Sequence, residues 1–153
     1  MKGTINFDFN KESLNKFNAT CEIAIRNVAT GTKKATIAAC EEILSESKEQ
    51  VPKLTNTLLQ SAFYEVHRRS DTSSSYYAYE GTVGYGGNGD PVNPNTGERA
   101  SSYMLAVHEN LSAKHPNGKA KFLEDPVREY AANKFERTVF KYAQESLADL
   151  GRR

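Results

Sequence analysis

Three histidines are the first residues to examine for chemistry. His108-Glu109 with His115 is the nearest approach to a metal set, because imidazole and carboxylate together suit zinc or manganese. The separation of His108 and His115 does not put two rings on one face of a strand, and no HExxH pattern occurs. His108 and Glu109 read better as the polar end of a strand, and no metal ligand is assigned. The glycines of VGYGGNG, residues 83–89, would suit a phosphate cradle if a helix followed. Asp90-Pro91 follows instead, without a Lys-Ser/Thr pair, and signals a turn. No serine lies in a GxSxG frame, and neither cysteine has a histidine near it in sequence. The sequence therefore assigns no catalytic residue, no cofactor-binding residue and no cofactor. A small metal-dependent enzyme using His108, Glu109 and His115 stands as the alternative from a different functional class.

A second constellation is aromatic. Tyr76, Tyr77 and Tyr79 follow Arg68 and Arg69, as in a stacking surface for single-stranded nucleic acid. The same residues also read as cross-strand aromatic pairs on a sheet face, or as a subunit interface, where tyrosine is enriched. Twenty Lys and Arg against nineteen Asp and Glu leave a formal charge of +1, so there is no whole-chain field to gather nucleic acid or an anionic membrane.

The elements that must carry these residues follow from periodicity. The 153 residues suffice for one domain, 1–153, with its own core. Apolar residues make up 38%, a lean share that suits an elongated domain or one that buries surface against partners. From Lys11 to about Gln50, Leu14, Phe17, Cys21, Ile25, Val28, Ala35, Ala39 and Ile43 form one helical stripe, widened by Ile37, Cys40 and Leu44. Asn10 or Ser13 is placed to cap it, and Pro52 enforces its stop. Either it breaks near Gly31, in the weak Thr30-Gly31-Thr32 triplet, or it runs ~60 Å and lays part of its apolar face on another chain. Cys21 and Cys40 then sit ~28 Å apart on one helix and cannot pair. With no signal-like apolar start, that points to a reducing cytoplasm.

Residues 60–69 alternate as a strand, and residues 75–85 are crowded with strand formers. The short polar link 70–74 suits a hairpin, and 103–108 reads as a third strand with Tyr103, Leu105 and Val107 on one side. Between them, residues 86–102 hold four glycines and two prolines, a long loop or an arm that orders against a neighbour. Asp125 as N-cap and Pro126 as first residue open the last helix, with Val127, Ala131, Phe135, Val139, Ala143, Leu147 and Leu150 as its stripe and Gly151 as its stop. The expected fold class is α+β: a long N-terminal helix, a central antiparallel sheet of three or four strands with a long Gly/Pro loop, and a C-terminal helix packed on the sheet.

Three stretches resemble a known family, the tail-completion or neck proteins of tailed bacteriophages. VPKLTNTLLQSAFYEV, residues 51–66, is similar to the family's helix ending at a proline, a Thr-Gly turn, then leucine and serine leading into a strand. Pro52, Thr55, Leu58 or Leu59, and Ser61 match; Asn56 stands in the glycine place and also tolerates left-handed angles. YMLAVHENL, residues 103–111, resembles the family's aromatic, small, aliphatic and acidic strand, with Glu109 in the acidic place. GKAKFLEDPVREY, residues 118–130, resembles the lead into the last helix through Phe122, Leu123 and Pro126.

The resemblance implies a virion protein assembled in the host bacterial cytoplasm, without catalytic residues or cofactor. It implies copies of the chain in a ring, as a hexamer, between the head-closure or connector protein and the tail terminator or tail tube protein. DNA would pass through the lumen without sequence-specific contacts, and no membrane is involved. Tail terminator, head-closure and minor capsid proteins are neighbouring roles on similar folds. The interface candidates are Tyr76, Tyr77, Tyr79 and Tyr85 of the tyrosine-rich strand, Asp90, Asn93 and Arg99 of the loop, and Phe122.

Overall fold

The computed structural model describes residues 10–69, 78–87, 89–115 and 117–148. Helix α1 (Lys11–Gln50) is continuous over 40 residues, roughly 60 Å at 1.5 Å per residue. The Asn10 side chain caps its start by accepting from the Glu12 N–H at 2.8 Å. At the far end Val51, extended ahead of Pro52, closes it.

Of the two alternatives for Gly31, the unbroken helix holds. The hydroxyls of Thr30, Thr32 and Thr36 donate back to the carbonyls of Arg26, Ala29 and Thr32 at 2.9–3.0 Å, so these residues satisfy themselves within the helix. Gly31 serves close packing: a Cβ there would lie 2.6 Å from the Tyr142 carbonyl oxygen.

After the short helix α2 (Thr57–Gln60), strands β1 (Ala62–Arg68) and β2 (Tyr79–Tyr85) pair antiparallel, from Ala62 opposite Tyr85 to Arg68 opposite Tyr79. The hairpin lies along α1: a Cβ on Gly81 would meet Cys40 Sγ at 2.4 Å, and the Tyr64 hydroxyl donates to Glu41 at 2.9 Å. The 70–74 link lies outside the described residues. Among the described residues the sheet has two strands, so the expected three or four are corrected.

The missing strand is a helix. Residues 103–108 belong to α3 (Ala100–Glu109), because the neighbours Tyr103 and Met104, and Val107 one helical turn on, face the core while Leu105 stays 63% exposed. A short apolar run fits both periods, and packing chose the longer one.

The chain ahead of α3 is folded, not a structureless excursion. Val92 bridges Arg99, the Asn93 N–H donates to the Glu98 carbonyl at 2.7 Å, and Gly97 turns with φ 76. Val51, Leu58, Tyr85, Ala100 and Phe122 make the core beneath α3, at the C-terminal end of α1. Full burial of side chains such as Val51, Leu58 and Phe122 is worth roughly 1.5–3 kcal/mol each.

The C-terminal segment is two helices, α4 (Glu124–Asn133) and α5 (Phe135–Ala148), with an irregular turn at Lys134. Its start differs from the expected Asp125 cap. Leu123 takes the N-cap place, and Asp125 instead pairs with Lys119 at 2.6 Å. It packs on α1, not on the sheet, so that expectation is also corrected. Lys134 reaches Glu42 and Glu46 at 2.7 and 2.6 Å at one end, and the Asn27 amide donates to the Ser146 carbonyl at 3.1 Å at the other. α5 thus runs antiparallel to α1 from about Glu46 back to Asn27.

Candidate assembly surface

The face of the C-terminal helices turned inward follows steps of four: Phe122, Pro126, Tyr130, Lys134, Thr138, Tyr142, Ser146. Phe122, Pro126, Tyr130 and Ser146 are buried, and the Tyr130 hydroxyl donates to Thr138 at 2.9 Å. The expected stripe, Val127 to Leu147, is the same progression shifted by one residue, and it faces largely outward. Phe135 and Phe140 are more than half exposed. The contact between α5 and α1 is therefore made by small and polar groups at close range, while the more apolar stripe of α5 is left bare.

That bare stripe forms one wall of a groove of about 510 Å³. Phe135, Val139, Phe140 and Ala143 come from α5, and Thr32 and Thr36 from α1. Ala78 and Tyr79, where β2 begins, close one side. Among the described lining residues the only charge is Glu136. Low charge over apolar walls suits a dry contact, not a polar substrate.

The outer half of α1 is the second uncovered surface. Leu14 and Ile25 are about half exposed and Phe17 is 65% exposed, while Ala29, Gly31 and Ala35 further along are buried. Leu14, Phe17, Cys21 and Val28 continue the line on which Gly31 and Ala35 pack; Cys21 and Val28 are half-buried, and among the described residues the seam stands exposed at Leu14, Phe17 and Ile25.

The residues proposed from sequence fall into different environments. Tyr76 and Tyr77 lie outside the described residues. Tyr79 lines the groove. Tyr85 and Phe122 are 3% and 1% exposed and meet edge to face at 5.1 Å, so they build the core and present nothing to a partner. The Tyr85 hydroxyl is hydrogen-bonded to Ser47 Oγ at 2.7 Å, and burial pushes its ionisation upward.

Asp90 and Arg99 pin the 90s turn to α3. Asp90 accepts from the Ser101 N–H at 3.0 Å and from its hydroxyl at 2.6 Å, and Arg99 donates to the Asp90 carbonyl at 3.3 Å. The Ser101 hydroxyl, more than any other group, holds the Asp90 carboxyl below its usual range. Asn93 makes the turn itself, accepting from the Asn95 N–H at 2.9 Å.

The proposed metal residues are engaged with protein. His108 Nδ1 faces Glu109 Oε1 at 2.8 Å, its Nε2 accepts from the Glu124 N–H at 3.4 Å, and its ring stacks edge to face on Phe122 at 4.9 Å. Those partners put the ring proton on Nδ1. His115 Nε2 instead contacts the Asn110 carbonyl at 3.3 Å. No group of three His, Cys, Asp or Glu placed to hold a metal occurs among the described residues. Glu109 works in an ion network: Lys121 pairs with it and with Glu124, the latter at 2.8 Å, and Arg128 pairs with Glu124 at 2.6 Å. Lys121 chiefly, then His108, holds the Glu109 carboxyl low. This network fixes the left-handed Lys121, φ 58, at the entrance to α4.

Comparison with known protein families, curated proteins and solved structures finds no match. Among the described residues no helix is long and apolar enough to cross a membrane.

Proposed function

We propose that this chain is a structural, non-catalytic subunit of a protein assembly, a ring in the neck of a tailed bacteriophage between the head connector and the tail tube. The observation that carries the assembly part is the outer half of α1. A helix roughly 60 Å long stands with Leu14, Phe17 and Ile25 uncovered, and such a seam is stable in water only at a cost that a partner would remove. The apolar groove beside α5 supports the same reading. The neck position rests on the three sequence stretches at 51–66, 103–111 and 118–130, one of which has a structural counterpart. Asn56, in the family's glycine place, has φ 58 as a Thr-Gly turn requires. Residues 103–111 weigh the other way, since their first part is helical where the resemblance implies a strand.

The test is assembly. Mass measurement of the purified protein, alone and mixed with portal-side and tail-side neck proteins of a tailed phage that encodes it, should show a ring or a stable complex with one of them. A chain that stays monomeric and binds neither side refutes the proposal.

A further inference from the structure

Among the described residues two apolar surfaces are bare, and one chain cannot bring them together. The groove is partly built by Thr32 and Thr36 of α1 itself, and Leu14 lies eighteen residues back along the same unbroken helix, a fixed ~27 Å away. The arm cannot fold into its own groove. The groove has walls from two antiparallel helices and lacks a third helix over Phe135, Val139 and Phe140. The arm is a helix whose apolar residues recur as helix-in-groove anchors do, at Leu14, Phe17, Cys21 and Ile25. The charges also agree: Glu136 lines the groove, Lys11 borders the arm's seam, and neither has an ion-pair partner among the described residues.

We propose that the outer half of α1 from one copy lies in the α1–α5 groove of the next copy, so that each copy gives one arm and receives one. This rests on the assembly reading above and names the surfaces that make it. Area favours this pairing over arm against arm. Residues 11–26 give ~24 Å of helix about 10–12 Å wide, hiding on the order of 250 Å² on each side. A stable pair of proteins hides about 800 Å² per partner. One such contact is too small to hold a dimer at dilution. Arm against arm ends at two copies with one contact and leaves Phe135 and Phe140 bare. Arm in groove is head to tail, gives every copy two contacts, and closes into a ring when the rotation allows.

The native Cys21 makes a direct probe, since it sits in the arm's seam and is free, while Cys40 is buried. In Ala143→Cys at high protein concentration, mild oxidation should give a covalent ladder running past dimer to trimer and beyond. Wild type and the double variant Cys21→Ser/Ala143→Cys should give no ladder. Phe17→Asp and Phe140→Asp, both at exposed positions, should keep wild-type melting and lose self-association. Wild type that oxidises to dimer alone, with no extension in Ala143→Cys, shows arms paired with each other and overturns the inference. Monomer throughout also overturns it. If Phe17→Asp and Phe140→Asp still assemble with the neck proteins as wild type does, the arm-in-groove contact fails and the ring reading stands. If wild type itself binds neither neck side nor itself, the ring reading has failed.

Discussion

Gly31→Ala separates a packing glycine from a flexible one by the sign of its effect. In a solvent-facing helix turn, replacing glycine by alanine stabilises by about 1 kcal/mol, because the unfolded chain has less freedom to lose. At Gly31 the new Cβ would lie 2.6 Å from the Tyr142 carbonyl oxygen, 3.1 Å from its carbon and 2.8 Å from Ser146 Oγ. A serine hydroxyl can rotate away, but a backbone carbonyl moves only with its helix. α5 must therefore lift from α1, which also stretches the Asn27–Ser146 hydrogen bond of 3.1 Å. Overpacking of this kind costs about 1–3 kcal/mol and loss of the hydrogen bond about 0.5–1.5 kcal/mol. Set against the propensity gain, the expected net loss is about 1–3 kcal/mol.

Urea and thermal unfolding read this directly. For a domain of this size, 1 kcal/mol moves Tm by about 2–4 °C, so a fall of roughly 2–12 °C is expected. Thr30→Ala, at an exposed neighbour, serves as control and should stay within about 0.5 kcal/mol. Ser146→Ala should relieve part of the clash, so the double variant should lose less than the sum of the singles. A Gly31→Ala protein more stable than wild type by about 1 kcal/mol would refute the close approach of the two helices and restore Gly31 as a hinge.

Three further outcomes are expected. Tyr85→Phe leaves the fully buried Ser47 hydroxyl without its 2.7 Å partner and should cost about 1–3 kcal/mol by urea titration, part of which Ser47→Ala in the same chain should recover. Asn56→Val places a β-branched residue at φ 58 and should cost about 1–2 kcal/mol, whereas Asn56→Gly should be neutral or slightly stabilising; equal effects would contradict the left-handed turn. Asp90 has its carboxyl lowered on folding, so its contribution is complete above the unfolded value of about 3.9 and is lost as pH falls through the lower folded value. The stability gap between wild type and Asp90→Asn should therefore narrow on acidification below about pH 4, and a gap independent of pH would show that Ser101 does not discriminate the carboxylate.

Local chemistry made parts of the fold legible in sequence. The Asn10 cap, the stop at Pro52, the alternation in residues 62–68 and the left-handed Asn56 each follow from one residue's own preferences. What misled were runs that fit two periods. Residues 103–107 offer Tyr-Leu-Val at spacing two and Tyr-Met-Val at helical spacing, and only packing against the buried cluster of Val51, Leu58, Tyr85, Ala100 and Phe122 favours the second. The Asp90–Ser101 pin joins residues eleven apart through a side chain, which no local pattern announces. At the candidate surface, sequence pointed to tyrosines and the loop. Of these, Tyr79 reaches the groove, while Tyr85 is core and Asp90 and Arg99 are occupied in holding the turn. Phe135 belongs to the most regular apolar stripe of the sequence, and taking that stripe as core assumes that the core belongs to one chain; Phe140 lies outside that stripe.

A helix can bury either of two stripes one residue apart, and hydrophobic area alone would turn Phe135, Val139, Ala143 and Leu147 inward. The inward stripe is Lys134, Thr138, Tyr142 and Ser146, held by an ion clamp to Glu42 and Glu46, by one amide hydrogen bond and by backbone contact over Gly31. Ion pairs this exposed contribute little, so the contact is secured mainly by closeness. Rotating α5 to bury the phenylalanines would need more space than Gly31 leaves and would break the clamp. The geometry of α1 thus selects the polar stripe and holds the apolar one outward. The same helix carries its own seam, with Leu14, Phe17 and Ile25 exposed among the described residues, so the proposed arm-in-groove contact supplies to the bare stripe the apolar area that α5 does not find on α1.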